Sequence, residues 1–165
     1  MSSSTFKEFI EKRKAEEEGI DWESRKQDYL EKVKQLMETI RGYLDEFSDS
    51  LPLTEEKKTI YEDYLGEYDV PVLHIDLYGK RASVIPVGRN IIGTPGRVDL
   101  VSLARTVRII LADKKRKRFP ERTPEELIKE PTDYVWKIVT DPPRIRFITL
   151  DKERFLDALQ EVLGG

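Results

Sequence analysis

"VLHIDLYGKRASVIPV", residues 72–87, decides how the rest of the chain is read. Two apolar runs with strand-type alternation flank a glycine turn, which is the pattern of a tight antiparallel hairpin. With Gly79 and Lys80 as the central turn residues, Leu77 is expected opposite Ala82, Ile75 opposite Val84 and Leu73 opposite Pro86. These form the buried face, and His74, Asp76 and Tyr78 share the other face with Arg81 and Ser83.

Further strands follow. "GRVDLVSL" reads as a third strand after the "GTPG" turn, and "ARTVRIILAD" as a fourth, although its spacing also suits a short helix. "DYVWKIVT" and "RIRFITL" read as two more strands around the "DPP" turn of Asp141, Pro142 and Pro143. Upstream, "KKTIYEDYLGEYDV" (57–70) mixes helical spacing with strand propensity, and we read it as a strand followed by a loop.

The ends of the chain are helical. A weakly amphipathic, mostly solvated helix is expected over 6–18, with Phe6, Phe9 and Ile10 as its large apolar residues. Asp21 then caps a long helix beginning at Trp22. Its apolar positions Tyr29, Val33, Leu36, Ile40, Tyr43 and Phe47 follow 4-3-4-3-4 spacing, nearly three heptads of a seam. Leu30, Met37 and Leu44 widen that stripe, so packing on the chain's own sheet competes with self-association or partner docking. "TPEELI" holds a capping box at Thr123 and Glu126 with Pro124 in the first helical position. Asp151 caps a last helix with Phe155, Leu156, Leu159, Val162 and Leu163 on one face and Leu150 placed to staple against Phe155. Strands grouped together with helices at the ends define an α+β fold. The expected organisation is a helical extension over 1–50 and an α+β domain over 51–165, with an antiparallel sheet of five or six strands and a C-terminal helix packed on it.

Composition narrows the chemistry. The 165 residues include no cysteine and one histidine, His74, which excludes disulfides, thiol nucleophiles and zinc thiolate sites. The N-terminal residues lack the apolar stretch of a signal peptide, so a cytoplasmic protein is expected. The 37% charged content with one asparagine is a bias seen in thermophile proteins and equally in well-solvated helical chains. The net charge of −3 conceals segregation: residues 71–120 hold 11 basic and 3 acidic side chains, against 9 and 13 over 1–50. Two partners suit this basic island, the protein's own acidic helices or a polyanion such as nucleic acid, and the first is preferred because nucleic-acid-binding domains usually carry net positive charge.

Each candidate for chemistry has a plain structural alternative. "VIPVGRNIIGTPGRVDL" (84–100) crowds glycines beside arginines but matches neither a phosphate-binding P-loop nor a dinucleotide fingerprint. Gly79, Gly88, Gly93 and Gly96 are therefore expected at turns and close backbone approaches, and Arg97 with Asp99 as a same-face polar pair that fixes the corner. His74 beside Asp76 suggests a base or a metal ligand, and an enzyme using His74, Asp76 or Asp99 is the third-ranked reading. The other carboxylates, Glu62 and Asp63 among them, have no metal-ligand spacing, and no serine sits in a nucleophile elbow. Neither a cofactor nor a metal is expected. The polyanion alternative rests on Arg89, Arg97 and the run Lys114, Lys115, Arg116, Lys117 and Arg118, within a basic segment over 80–118. The preferred function is a non-catalytic interaction domain whose long N-terminal helix mediates self-association or partner docking.

Overall fold

The computed structural model describes residues 3–19, 21–91, 94–114 and 134–165. Two helices, α1 (Ser3–Glu18) and α2 (Trp22–Leu44), precede a 3-10 turn (Asp45–Phe47). Seven strands follow: β1 (Leu53–Glu62), β2 (Gly66–Leu77), β3 (Lys80–Gly88), β4 (Arg97–Val101), β5 (Thr106–Asp113), β6 (Tyr134–Val139) and β7 (Phe147–Thr149). A C-terminal helix, α3 (Lys152–Val162), ends the order. The strands pair in sequence order, each antiparallel to the next, forming an open meander. The fold is α+β with more strands than expected, because 57–70 supplies a hairpin rather than a strand and a loop. The 105–113 segment is strand, and the capping box at Thr123 lies outside the described residues.

Helix α2 forms where expected. The Asp21 side chain accepts a hydrogen bond from the Ser24 amide at 3.0 Å, satisfying one of the donors left over at the helix start. Its apolar stripe lies on the sheet: Tyr29, Val33, Leu36 and Ile40 are at most 2% exposed and share a core with Leu73, Ile75, Ala82, Val84, Val98, Leu100 and Ile109. Tyr43 is half-buried with its ring 6.0 Å from that of Phe155, and Phe47 is partly exposed. Of the six seam positions, then, four are filled by the chain's own sheet. Helix α3 adds Phe155, Ala158, Leu159 and Val162 to the same core, its first turn held by Asp151 accepting from the Arg154 amide at 2.8 Å. Long-range hydrogen bonds tie α2 down, Tyr29 donating to the Arg97 carbonyl at 2.9 Å and Trp136 Nε1 to the Lys32 carbonyl at 3.3 Å. Gly96 is needed where it stands: a Cβ there would lie 2.7 Å from the Tyr29 ring.

The β2–β3 hairpin corrects its expected register. Leu77 pairs with Lys80, Ile75 with Ala82 and Leu73 with Val84, so Tyr78 and Gly79, not Gly79 and Lys80, are the central turn residues. Both have positive φ, +45° and +88°, as a type I′ turn requires. This turn matches the right-handed twist of the strands, and that gain outweighs the steric cost of a left-handed tyrosine. The pairing shifts by two residues, so the same side chains stay on the buried face.

The ladder between β2 and β3 ends at Leu73 and Val84, while β1 and β2 continue as a two-stranded ribbon to Glu62 and Gly66. Beyond that point the core-facing set changes phase from Leu73 and Ile75 to Val70 and Tyr68. Two-stranded ribbons twist more strongly than sheet interiors. The ribbon tip consequently reaches the loop that follows β3, where Glu62 meets the amides of Arg89 and Asn90. On the sheet face away from the helices, Ile110, Ala112, Val139 and Phe147 form a second small core, and Lys137 is buried beside it, donating to the Lys114 carbonyl at 2.9 Å.

The turn geometry has a measurable consequence. Tyr78→Asn, which tolerates a left-handed backbone better, should raise stability by about 0.5–1 kcal/mol, and Gly79→Ala should lower it by about 1–2 kcal/mol. Urea denaturation midpoints check both.

Candidate functional site

The glycine-rich corner that stood out in the sequence is one wall of a cleft. Helix α2 begins there, the β1–β2 turn overhangs it, and the loop after β3 closes it. Its lining includes Arg13, Trp22, Arg25, Tyr64, Arg89 and Asn90, around a volume of about 630 Å³.

Glu62 organises this wall. Its carboxylate accepts from the Tyr68 hydroxyl, from the Arg89 amide at 2.9 Å and from the Asn90 amide at 2.7 Å. Burial, then the hydrogen bond to Glu62, pushes the Tyr68 phenol above its ordinary range, so it stays protonated and donates. The Asn90 side-chain amide donates in turn to the Asp63 carbonyl at 3.1 Å, fixing its orientation. Gly88 lies against the same carboxylate, where a Cβ would stand 2.5 Å from Oε1. Gly88 and Gly96 therefore serve close approach, as expected, while Gly93 lies outside the described residues.

The opposite wall is aromatic. Trp22 and Tyr64 stack with ring centroids 5.0 Å apart and planes 11° from parallel. Tyr64 has φ +70°, a left-handed conformation unusual for an aromatic residue, and its ring remains exposed. The Arg25 guanidinium lies 5.4 Å from the Trp22 ring centroid, within cation–π range. Arg89 is 5% exposed. Burial and then the nearby Arg25 charge push its guanidinium down to about 10, so it is still charged at neutral pH. The Trp22 indole N–H is buried and finds no acceptor among the described residues.

The residues singled out for catalysis do not converge on this cleft. His74 lies on the sheet face away from the helices, Nδ1 being 2.6 Å from Ser83 Oγ and Nε2 2.9 Å from Glu56 Oε1. Serine, histidine and carboxylate thus line up, with Ser83 buried within β3. Asp76 forms a two-point ion pair with Arg81 at 2.7 and 3.2 Å, and Asp99 one with Arg97 at 2.8 and 2.9 Å. The Arg81 hydrogen bond holds the Asp76 carboxyl below the usual range. Arg97 and Asp99 sit on one face of β4, as their alternation implied, and the pair is largely buried. Among the described residues, no group of three or more His, Asp or Glu is arranged to hold a metal. No helix among them is long and apolar enough to cross a membrane.

The basic island meets acids of the same chain. Arg81 and Arg97 have the partners just named, and Arg105 pairs with Glu161 of α3 and with Asp141 at 3.7 Å. Lys114 ends the described part of its run, and Lys115, Arg116, Lys117 and Arg118 lie outside it.

A second concavity lies at the far end of α2. The 3-10 turn, the β2–β3 hairpin tip and the C-terminal half of α3 surround an apolar groove of about 740 Å³ lined by Phe47, Leu51, Leu77, Tyr78, Leu156 and Leu163. Sequence reasoning placed these residues in separate elements and missed the groove, since only folding brings them together. It missed the cleft for the same reason, although the crowded loop at 84–100 was its one visible signal.

Removing the Glu62 carboxylate strands three donors. Glu62→Ala should cost on the order of 2–4 kcal/mol in urea denaturation and Glu62→Gln, which keeps one acceptor oxygen, distinctly less. In comparisons with known proteins, no family model, no curated protein and no solved structure matches the chain.

Proposed function

We propose that the protein is a non-catalytic interaction domain that self-associates through its N-terminal helical extension, with α1 as the docking element in place of the α2 seam. The observation that carries this reading is an apolar stripe without cover: Phe6, Phe9 and Ile10 of α1 are 56%, 55% and 49% exposed. Three large apolar side chains clustered on one short helix, two of them ring-stacked at 6.2 Å, favour burial in a groove.

The chain carries such a groove, and its own stripe is at the other end of the molecule. Arg13 of α1 lies over the Phe9 ring at 5.7 Å and lines the cleft beside Trp22, at the start of α2. The apolar groove borders Phe47, just past the end of α2. A 23-residue helix separates them by about 34 Å at 1.5 Å per residue. The occupant that fits is therefore α1 of a second copy. If each copy donates α1 to the other, the interface is isologous and closes as a dimer, with no free stripe or groove left to extend it. The pairing of Arg105 with Glu161 supports the further reading that acidic helices and basic sheet complement each other within the chain.

Sedimentation velocity with light scattering tests this. The expected result is a dimer for the full chain and a monomer, or association weakened by tenfold or more, for Phe6→Asp/Phe9→Asp and separately for Phe47→Asp. A monomeric full chain at its highest soluble concentration, or a dimer untouched by either variant, would overturn it.

A further inference from the structure

The open meander has two edges of different kinds. β7 is three residues long, and short edge strands make poor templates for another chain, whereas β1 runs ten residues from Leu53 to Glu62. No described strand pairs with the outer side of β1, and residues 54–59 are all exposed. The Pro52 carbonyl accepts from the Asp76 amide directly opposite it at 3.1 Å. Backbone groups of successive residues alternate between the two sides of a strand, so the even-numbered residues of β1 bond to β2. Leu53, Glu55, Lys57, Thr59 and Tyr61 therefore turn their N–H and C=O groups outward.

We propose that β1 pairs antiparallel with β1 of a second copy about a two-fold axis at Lys57, joining the two meanders into one continuous sheet. This rests on the reading that the chain associates with a second copy, and it adds a second contact on the same axis. Lys57 is the middle one of the five outward residues, so only this register uses them all. It sets Leu53 opposite Tyr61 and Glu55 opposite Thr59 of the second copy, for about ten backbone hydrogen bonds. Glu56 then stands opposite Lys58 twice per dimer, in the non-hydrogen-bonded positions where side chains come closest. Lys58 has no acidic partner among the described residues. Glu56 gives one oxygen to His74 and keeps the other, its side chain being 63% exposed. Lys57 meets its own copy at the axis, where Glu55 of each chain lies on the same face and offsets the repulsion. Edge charges usually repel other strands, and this set of both signs rejects strands that lack its pattern.

The same axis serves the exchange of α1. α2 runs beside β1 in the opposite direction, Trp22 stacking on Tyr64 just past the end of β1 and Arg41 reaching Glu55 at 2.6 Å. Turning one copy about Lys57 thus brings the end that carries α1 beside the Leu51 end of the other, which borders the apolar groove. It also lays the Tyr61 ring, 67% exposed in the single chain, against half-buried Leu53 of the second copy.

Amide exchange of the ¹⁵N-labelled full chain, above and below the dissociation midpoint found by sedimentation, reads the pairing residue by residue. Exchange at Glu55, Lys57 and Thr59 should slow about tenfold or more in the dimer, and far less at Glu56 and Lys58, which already bond to β2. A general gain in stability would not alternate in this way. Lys57→Pro removes an outward N–H and spares the β2 ladder, so it should abolish the dimer while the rest of the spectrum stays native. Lys58→Glu should weaken association about threefold to tenfold, and Glu56→Lys/Lys58→Glu should restore it, which a role for Glu56 confined to His74 would not. Exchange without alternation along β1, or a dimer unmoved by Lys57→Pro, would overturn the pairing and leave the exchange of α1 standing. A double variant as weak as Lys58→Glu would overturn the register. A dimer lost in Lys57→Pro but untouched by Phe6→Asp/Phe9→Asp would overturn the exchange of α1 and keep the pairing, and a monomeric full chain would overturn both.

Discussion

The burial of one face of α2 against the meander is the interaction on which the other features depend. A helix of this composition is marginal alone in water, because its stability comes from packing rather than propensity. Covering Tyr29, Val33, Leu36, Ile40 and Leu44 contributes roughly 1.5–3 kcal/mol for each large side chain, and the sheet gains the same cover for its inner face. Neither layer holds without the other. The arrangement also fixes where the two concavities lie, since the cleft forms where α2 enters the sheet and the groove where it leaves.

Polar groups then set local geometry. Glu62 is the clearest case, gathering a phenol and two amides and thereby joining the tip of the β1–β2 ribbon to the loop after β3. Hydrogen bonds to an ionised acceptor are stronger than neutral ones, so a single carboxylate can hold a loop that carries no secondary structure. The Arg97–Asp99 pair acts similarly within one strand, spending a guanidinium and a carboxylate on each other. Arg81 and Arg97 are paired with acids of the basic island itself, and Arg105 reaches outside it to Glu161 and Asp141.

Much of the fold was legible because period and punctuation carry it. The 3.6-residue spacing from Tyr29 to Tyr43, the caps at Asp21 and Asp151 and the alternation around His74 follow from backbone geometry alone. The turn at Tyr78 and Gly79 was less legible, since a tyrosine at positive φ runs against residue preference and is chosen by strand twist. The β1–β2 hairpin was missed because the first of its two left-handed positions is taken by Tyr64 and only the second, Gly66, by a glycine. Of the cleft, the sequence displayed the glycine-rich loop and Arg89. It did not display Trp22, Tyr64 and Glu62 as neighbours, which come from three separate elements.

By itself the sequence determined the class of the fold, the buried faces of its elements and the exclusion of thiol chemistry, because these depend on residue type and local period. Only the tertiary structure decided whether the α2 stripe met another chain or its own sheet. It also decided which charges were spent internally and which side chains from distant segments came to share a cavity. Those outcomes depend on strand order and ribbon twist, which are set by packing across long loops of chain and leave no short-range signature.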